Sequence, residues 1–288
     1  MKQVTTLRQL QLIELYIYKD LLNVCKKYGL KVYLLGGTLI GAIRHQGFIP
    51  WDDDMDVCMS RSDYKKLLAL TGGKISEKCR IIDPATDNQF KGCIPLAIYE
   101  NSTVVSKQFK GKEDLKISIS IFVYDGAPKS KVARKFYYAK MYMLRAKHAL
   151  CRANFKNVTT KIARIVGPIL SPFFKEENVY KYKNKVLKWQ QKYDYETSEY
   201  VSTNADKSSQ KEVFLKCDFE KSVEIWFEGV KSFAFSYYHE HLTKYYGDYM
   251  QLPSTEAQMP KHSFEAQIED DFVFQAESHN VYGEVNKK

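Results

Sequence analysis

One segment constrains this chain of 288 residues more than any other, LLGGTLIGAIRHQGFIPWDDDMDVCM at positions 34–59. Four of the five positions from Asp52 to Asp56 are acidic, and like charges this close repel one another. Ahead of them lie a short buried-strand pattern, a Gly36-Gly37 pair and a helical pattern. The fold must therefore bring something to the acidic cluster that offsets the repulsion.

The glycine pair and the helix behind it suit a phosphate. Gly36 and Gly37 let the backbone approach a ligand closely because neither has a Cβ atom. The pattern TLIGAIRH predicts a helix with Thr38 as its N-cap, and a helix N-terminus attracts phosphate. Arg44 follows about two turns later, where its guanidinium could contact phosphate oxygens. A Gly-Gly pair alone is more often an ordinary turn.

The acidic cluster suits a metal ion. In an extended chain, Asp52, Asp54 and Asp56 would share one face and Asp53 would point the other way. Carboxylates on one side form a hard-oxygen site for Mg²⁺ or Mn²⁺, and the cation would neutralise their charge. The cluster alone is equally compatible with a solvated acidic turn, but the glycine pair upstream favours the metal site.

The pattern of elements divides the chain near residue 130. Residues 1–130 alternate helical and strand patterns, beginning with a helix over residues 5–27, and predict an α/β (α+β) mixed-sheet core. Residues 131–288 predict a largely helical, basic subdomain that packs with the core as one unit. The polar tail after Phe274 is expected to be loosely ordered.

The net charge of +10 suits an anionic partner. Lysines and arginines concentrate between Lys129 and Lys192, where a solvated helix surface explains them equally well. Residues 161–174 are apolar on one side, which fits either a kinked, packed helix or a helix lying on a membrane surface. No nucleic-acid-binding motif accompanies the charge, so we expect no nucleic-acid partner.

The expected location is the cytoplasm. No run is long and apolar enough to span a bilayer, and the N-terminus lacks the apolar segment of a secretory signal. The six cysteines are scattered and form no CxxC pair, as in a reducing compartment.

Three stretches resemble the LicD family, which includes bacterial phosphocholine transferases and, more distantly, fukutin-type enzymes. GGTLIGAIRHQGFIPWDDDMDVCMSRSDYKKL, at 36–67, closely resembles the family signature. FEGVKSFAFSYYHEHLTKYYGDYMQLP, at 227–253, is similar to its C-terminal motif and includes Tyr246 to Met250. ISIFVYDGAP, at 119–128, resembles the strand and turn between them.

The resemblance implies a nucleotidyltransferase-like fold and a metal-dependent transferase. Such enzymes move a phospho-alcohol, most often phosphocholine, from CDP-choline or another CDP-alcohol to a glycan or its lipid-linked precursor. A lipid-linked acceptor would place the protein at the inner face of the membrane. Carried over to this chain, the resemblance implies that Gly36, Gly37 and Thr38 bind the donor phosphates. It implies that Asp52, Asp54 and Asp56 bind the metal ion and that Arg44 offsets the phosphate charge.

Ser120 departs from the family pattern, which usually has an acidic residue at this point of the strand. A serine hydroxyl is a poor Mg²⁺ ligand and a poor base. The chain then has an altered activity, takes a carboxylate from Glu113, Asp114 or Asp125, or binds nucleotide or glycan without catalysis.

Overall fold

The computed structural model describes residues 1–110, 113–157, 161–205, 208–260 and 265–274, so the tail after Phe274 lies outside the described residues. The α-helices in these ranges are α1 (Leu7–Lys27), α2 (Gly36–His45), α3 (Arg61–Thr71), α4 (Lys131–Arg152), α5 (Lys161–Leu170), α6 (Val179–Gln190), α7 (Lys216–Glu220) and α8 (Tyr238–Tyr246).

The strands in the same ranges are mostly short. They are β1 (Lys2–Val4), β2 (Tyr33–Leu34), β3 (Asp56–Ser60), β4 (Cys79–Ile82), β5 (Leu96–Tyr99), β6 (Ser102–Val105), β7 (Ser118–Ala127), β8 (Tyr200–Ser202), β9 (Phe214–Leu215), β10 (Ser222–Phe227), β11 (Val230–Phe235) and β12 (Glu265–Ile268). The mixture of helices and mainly antiparallel strands confirms the predicted α+β class.

Helix α1 forms because its sequence carries both a start signal and an apolar stripe. The Thr6 side chain accepts from the Gln9 amide and the Gln9 side chain returns to the cap, which is a capping box. Its buried side chains recur at helical spacing and include Leu10, Ile13, Ile17 and Leu21. This stripe packs α1 against the central sheet.

The central sheet has the strand order β2-β3-β7-β5-β4. Strands β3 and β7 are parallel, with Asp56 opposite Ser120, whereas the other pairs along this path are antiparallel. The second half of β7 pairs with β8, which pairs with β9. Strands from beyond residue 130 thus continue the sheet, and the division at that residue stays a prediction.

The two faces of the sheet differ in chemistry because side chains alternate along a strand. One face, which includes Val57 and Ile121, is buried in the main core beneath α1. On the opposite face, Cys58 and Tyr124 belong to a second, aromatic cluster. Asp56, the first residue of β3, lies on this second face, two residues before Cys58.

The C-terminal motif contains a β-hairpin, in a region where the sequence pattern predicts a largely helical subdomain. Strands β10 and β11 are joined by Glu228 and Gly229, whose φ angles of 50° and 73° match the two-residue turns typical of hairpins. Glu228 accepts from Arg8 and from the amide of Phe48. The hairpin therefore fixes the loop before the acidic cluster against the N-terminal helix.

Helices α4, α5 and α6 occupy most of residues 131–190, whereas β8 to β12 lie in the rest of the segment for which a largely helical subdomain is predicted. Helices α4 and α6 pack together through Tyr137 and Trp189, whose rings stack with centroids 5.6 Å apart. Helix α5 contains Pro168 and leaves most of its apolar side chains exposed. In the described ranges, every helix falls short of the length and hydropathy that a membrane span requires.

Candidate metal and phosphate site

Helix α2 begins three residues earlier than it would with Thr38 as its N-cap. Its N-cap is Leu35, whose side chain makes no cap bond, and its first residue, Gly36, has a φ of +56°, in the left-handed region that favours glycine. Thr38 is therefore not the N-cap. Its hydroxyl oxygen accepts a 2.9 Å hydrogen bond from the amide of Asp56 and so ties the first turn of α2 to β3.

The glycine pair lies directly against the carboxylates. A Cβ atom added to Gly37 would be 2.5 Å from Oδ2 of Asp52, which no real structure tolerates. A Cβ atom on Gly36 would be 3.3 Å from the Tyr246 hydroxyl and 3.6 Å from Oδ2 of Asp56. The acidic cluster, the helix N-terminus and the C-terminal motif therefore meet at one point.

Gly37→Ala is expected to destabilise the protein by about 1–2 kcal/mol, because the added methyl group displaces the buried Asp52 carboxylate. The measurement is urea unfolding followed by circular dichroism. In an Asp52→Ala background the clash is removed, so the same glycine substitution should cost less. Equal costs in the two backgrounds would contradict the close approach of Gly37 and Asp52.

Three consecutive aspartates form the densest carboxylate group in the described chain. Asp52, Asp53 and Asp54 each place an oxygen within 4.8 Å of the others, and the first two are buried. The expectation that Asp53 points away is wrong, because β3 begins only at Asp56 and strand alternation does not reach the turn before it. Asp56 lies on the strand, beside Gly36.

A buried glutamate lies behind this group and was missed by the sequence reading. Glu14 is 3% exposed, and its Oε2 atom has no hydrogen-bond partner among the described residues. Burial raises the pKa of Glu14 well above its usual range, and the nearby carboxylates raise it further, in the order Asp54, Asp53, Asp52 and Asp56.

The signal for Glu14 was its position on the buried stripe of α1, between Ile13 and Ile17. Acidic side chains are almost never fully buried unless they are paired. Gln11 lies one helical turn before Glu14. Its side-chain amide donates to the carbonyls of Ile49 and Asp52 and so anchors the acidic turn.

These residues fit a hard divalent cation. Crowded carboxylates, and a buried carboxyl oxygen without a hydrogen-bond partner, raise the free energy of the folded protein unless a positive charge offsets them. Mg²⁺ and Mn²⁺ prefer oxygen ligands, and Mg²⁺ sites commonly use one or two carboxylates plus substrate phosphates. The N-terminus of α2 faces the same point, where its free amides and dipole favour an anion.

Arg44 is directed to the C-terminal motif in this structure. Its Nη1 atom donates to the carbonyls of Tyr249, at 2.8 Å, and Gln251, at 3.2 Å. Its Nε atom contacts Nε2 of His45 at 3.0 Å. Arg44 thus holds the C-terminal motif on α2, and its role at the donor phosphates stays a prediction.

The three carboxylates considered as substitutes for Ser120 all have cationic partners. Asp125 forms a two-pronged ion pair with Arg61, and Glu113 forms one with Arg152. Asp114, which is exposed, lies 3.2 Å from the ammonium group of Lys116. Asp53 and Glu14 are better placed to supplement the cluster than any of these three.

A cavity of about 420 Å³ lies along β5 and β7, and the aspartates of the acidic cluster are not among its lining residues. Ser120, the register partner of Asp56, lines it together with aromatic and basic side chains, namely Phe90, Phe109, Arg145, His148 and Arg152. The Nη1 atom of Arg145 is buried and has no hydrogen-bond partner among the described residues. Burial lowers the pKa of His148 to about 4, so this imidazole is neutral at pH 7.

Sequence comparisons show similarity to known proteins in the segment that carries these residues. Residues 29–125, which hold the glycine pair, the aspartates and β7, match the family described as LicD/FKTN/FKRP, nucleotidyltransferase domain. The lipopolysaccharide cholinephosphotransferase LicD of Haemophilus influenzae is 33% identical over 272 residues, which cover 91% of this chain and 98% of that protein.

Two shorter matches are local. Uncharacterized proteins of Rickettsia prowazekii and Rickettsia typhi are each 43% identical over 47 residues, or 16% of this chain. The match to the Haemophilus protein, in contrast, extends over nearly the whole of both chains. On this evidence of similarity along its length, the chain belongs to the LicD family.

Proposed function

We propose that this protein transfers phosphocholine from a CDP-linked donor, CDP-choline, to a cell-surface glycan or its lipid-linked precursor. The observation that carries the proposal is the carboxylate group of Asp52, Asp53 and Asp54 against the N-terminus of α2. It occurs in a chain that aligns along 98% of a lipopolysaccharide cholinephosphotransferase, so lipopolysaccharide is the first acceptor to test.

We further propose that the reaction depends on Mg²⁺ or Mn²⁺. Asp52, Asp54 and Asp56 would hold the cation, with Asp53 in the same carboxylate group and the buried Glu14 close behind it. When bound, the cation would stabilise charge on the transferred group and on the leaving CMP. The free amides at Gly36 and Gly37 would bind the donor phosphates from the other side.

The transfer balances as a displacement at phosphorus. An acceptor hydroxyl oxygen forms a bond to the phosphorus of phosphocholine, the bond from that phosphorus to the bridging oxygen breaks, and CMP leaves. The hydroxyl proton passes to a carboxylate of the cluster, which holds more aspartates than the one or two that Mg²⁺ usually binds.

The cavity beside Ser120 is the proposed donor pocket. Its aromatic side chains suit a nucleoside, and the unpartnered nitrogen of Arg145 suits a phosphate oxygen. A cytoplasmic location is part of the same proposal, since all six cysteines are free thiols.

Arg145→Met is expected to raise the KM for CDP-choline at least about tenfold, because a charge-assisted hydrogen bond to phosphate is worth about 1.5–3 kcal/mol. The rate at saturating donor should change less. Steady-state CMP release measures both constants, with Arg145→Lys expected to recover part of the affinity. Lys231→Met, which removes the same charge from the exposed hairpin, is the matched control. An unchanged KM in Arg145→Met would remove this cavity as the donor pocket.

A second candidate function is nucleotide or glycan binding without catalysis, and Ser120 favours it. This residue lies beside Asp56 where relatives are expected to carry a carboxylate. The two candidates predict opposite effects of Ser120→Asp. If the cluster is already sufficient, the added charge leaves CMP release unchanged or lowers it. If the wild-type chain has lost its chemistry, the same substitution creates metal-dependent release.

A further inference from the structure

Helix α5 exposes a continuous apolar stripe to solvent. The exposed side chains recur every three or four residues, so they lie along one side of the helix, and Phe173 extends the row just beyond it. They are Ile162, Ile165, Val166, Ile169, Leu170 and Phe173. Exposed apolar patches of this kind usually mark contact surfaces.

The other side of α5 packs against the 3₁₀ turn Phe155–Asn157, which lies before it in the chain. Gly167 is buried, and a Cβ atom added there would lie 2.0 Å from the ring of Phe155. That tight contact sets the rotation of the helix about its axis. The exposed stripe lies on the side of α5 away from Gly167.

The positive charge of the chain is concentrated around this helix. Residues 129–175 contain twelve lysines and arginines and no aspartate or glutamate. The whole chain carries +10, so the rest of it has a net charge of −2. Exposed cations lie before, within and after α5. They are Lys156, Arg164 and Lys175.

We propose that α5 is an in-plane membrane anchor whose apolar stripe enters the surface of an anionic phospholipid bilayer. An apolar stripe on one side of a helix, within a sequence segment that has many cations and no acidic residue, has the features that bind such surfaces. A second copy of the chain is a poorer occupant, since two segments with twelve cations each would repel one another.

The membrane contact is independent of the transferase chemistry proposed above, because it needs neither the donor nor the aspartates. It would hold the protein beside a lipid-linked acceptor if that proposal is correct. A binding measurement without substrates therefore separates failure of the anchor from failure of the transferase.

The test is flotation of the full chain with vesicles made of two parts phosphatidylcholine and one part phosphatidylglycerol, and with vesicles of phosphatidylcholine alone. Ile165→Asp/Ile169→Asp replaces side chains that are 68% and 65% exposed, so the fold is expected to survive. Leu70→Asp/Val273→Asp is the matched control, since these apolar side chains are 53% and 69% exposed outside α5.

The wild type and the control should float with the anionic vesicles, and the α5 variant should partition to them at least about tenfold less strongly. Raising the salt concentration should weaken binding of the wild type. The proposal is overturned if the wild type stays unbound, or if the α5 variant binds as well as the control. A wild-type dimer that the α5 substitutions dissociate, without vesicle binding, would instead assign the stripe to a second copy.

Discussion

Asp54→Asn is expected to slow metal-dependent CMP release from CDP-choline at least about 100-fold, because several kcal/mol of charge stabilisation depend on a bound cation. Asp54 belongs to the group of carboxylates whose oxygens lie within 4.8 Å of one another. The substitution preserves the shape of the side chain and removes its charge. Affinity for Mn²⁺, measured by calorimetry without donor, should fall in parallel.

Asp270→Asn is the control for this loss. Asp270 is also acidic, but its side chain is 77% exposed and pairs with the N-terminal ammonium group far along the chain from the cluster. Its substitution should leave CMP release and Mn²⁺ affinity unchanged. Full activity in Asp54→Asn would show that the acidic cluster is a structural turn, the alternative that its sequence alone allowed.

Arg61→Met is expected to give the largest loss of stability, about 3–5 kcal/mol, because it leaves the buried Asp125 carboxylate without its partner. The side chains are 16% and 2% exposed, and both prongs of the pair are shorter than 2.9 Å. For a domain of this size we expect the unfolding temperature to fall by roughly 6–15 °C. Differential scanning calorimetry measures the change.

An exposed pair of the same geometry provides the comparison. Arg8 also contacts its carboxylate, Glu228, through two nitrogens, but the Arg8 side chain is 47% exposed. Exposed ion pairs are worth about 0–1 kcal/mol, so Arg8→Met should cost much less than Arg61→Met. Equal costs would contradict a structural role for Asp125, and would return this carboxylate to the candidates for the site.

The elements that the sequence predicted are those with strong local signals. The apolar stripe and cap of α1 define that helix without knowledge of the rest of the fold. An apolar run predicts the strand β3, and a capping serine, Ser60 or Ser62, predicts the start of α3; the structure has Ser60 as the cap. In contrast, β8, β9 and β12 have two to four residues each, and they are strands only because distant segments supply their partners.

The sequence indicates only part of the geometry of the candidate site. The meeting of Gly37 with Asp52 follows from the order of elements, which the sequence displays. The inclusion of Asp53 could not be predicted, since it depends on where β3 begins. Glu14 lies more than 35 residues before the acidic cluster and Arg145 more than 35 residues after it. Tertiary packing alone brings Glu14 to the cluster and Arg145 to the cavity that Ser120 lines.

The hairpin of β10 and β11 shows a signal that was present and missed. Residues 222–235 alternate in polarity around a two-residue break at Glu228 and Gly229. An asparagine-glycine pair is the stronger hairpin signal, and glutamate at a positive φ is uncommon. The contacts of Glu228 with Arg8 and Phe48 offset the strain at this position.

The most direct test of the proposed transferase is CMP release from CDP-choline by the wild-type chain, measured with Mg²⁺ or with EDTA, and with or without a choline-free lipopolysaccharide acceptor. A panel with CDP-ethanolamine and CDP-ribitol reports the choice of phospho-alcohol. We predict release that requires Mg²⁺, is fastest with CDP-choline, and is matched by phosphocholine on the acceptor. Nucleotide binding without release, for every donor and in the presence of acceptor, would contradict the transferase and leave the binding protein as the function of this chain.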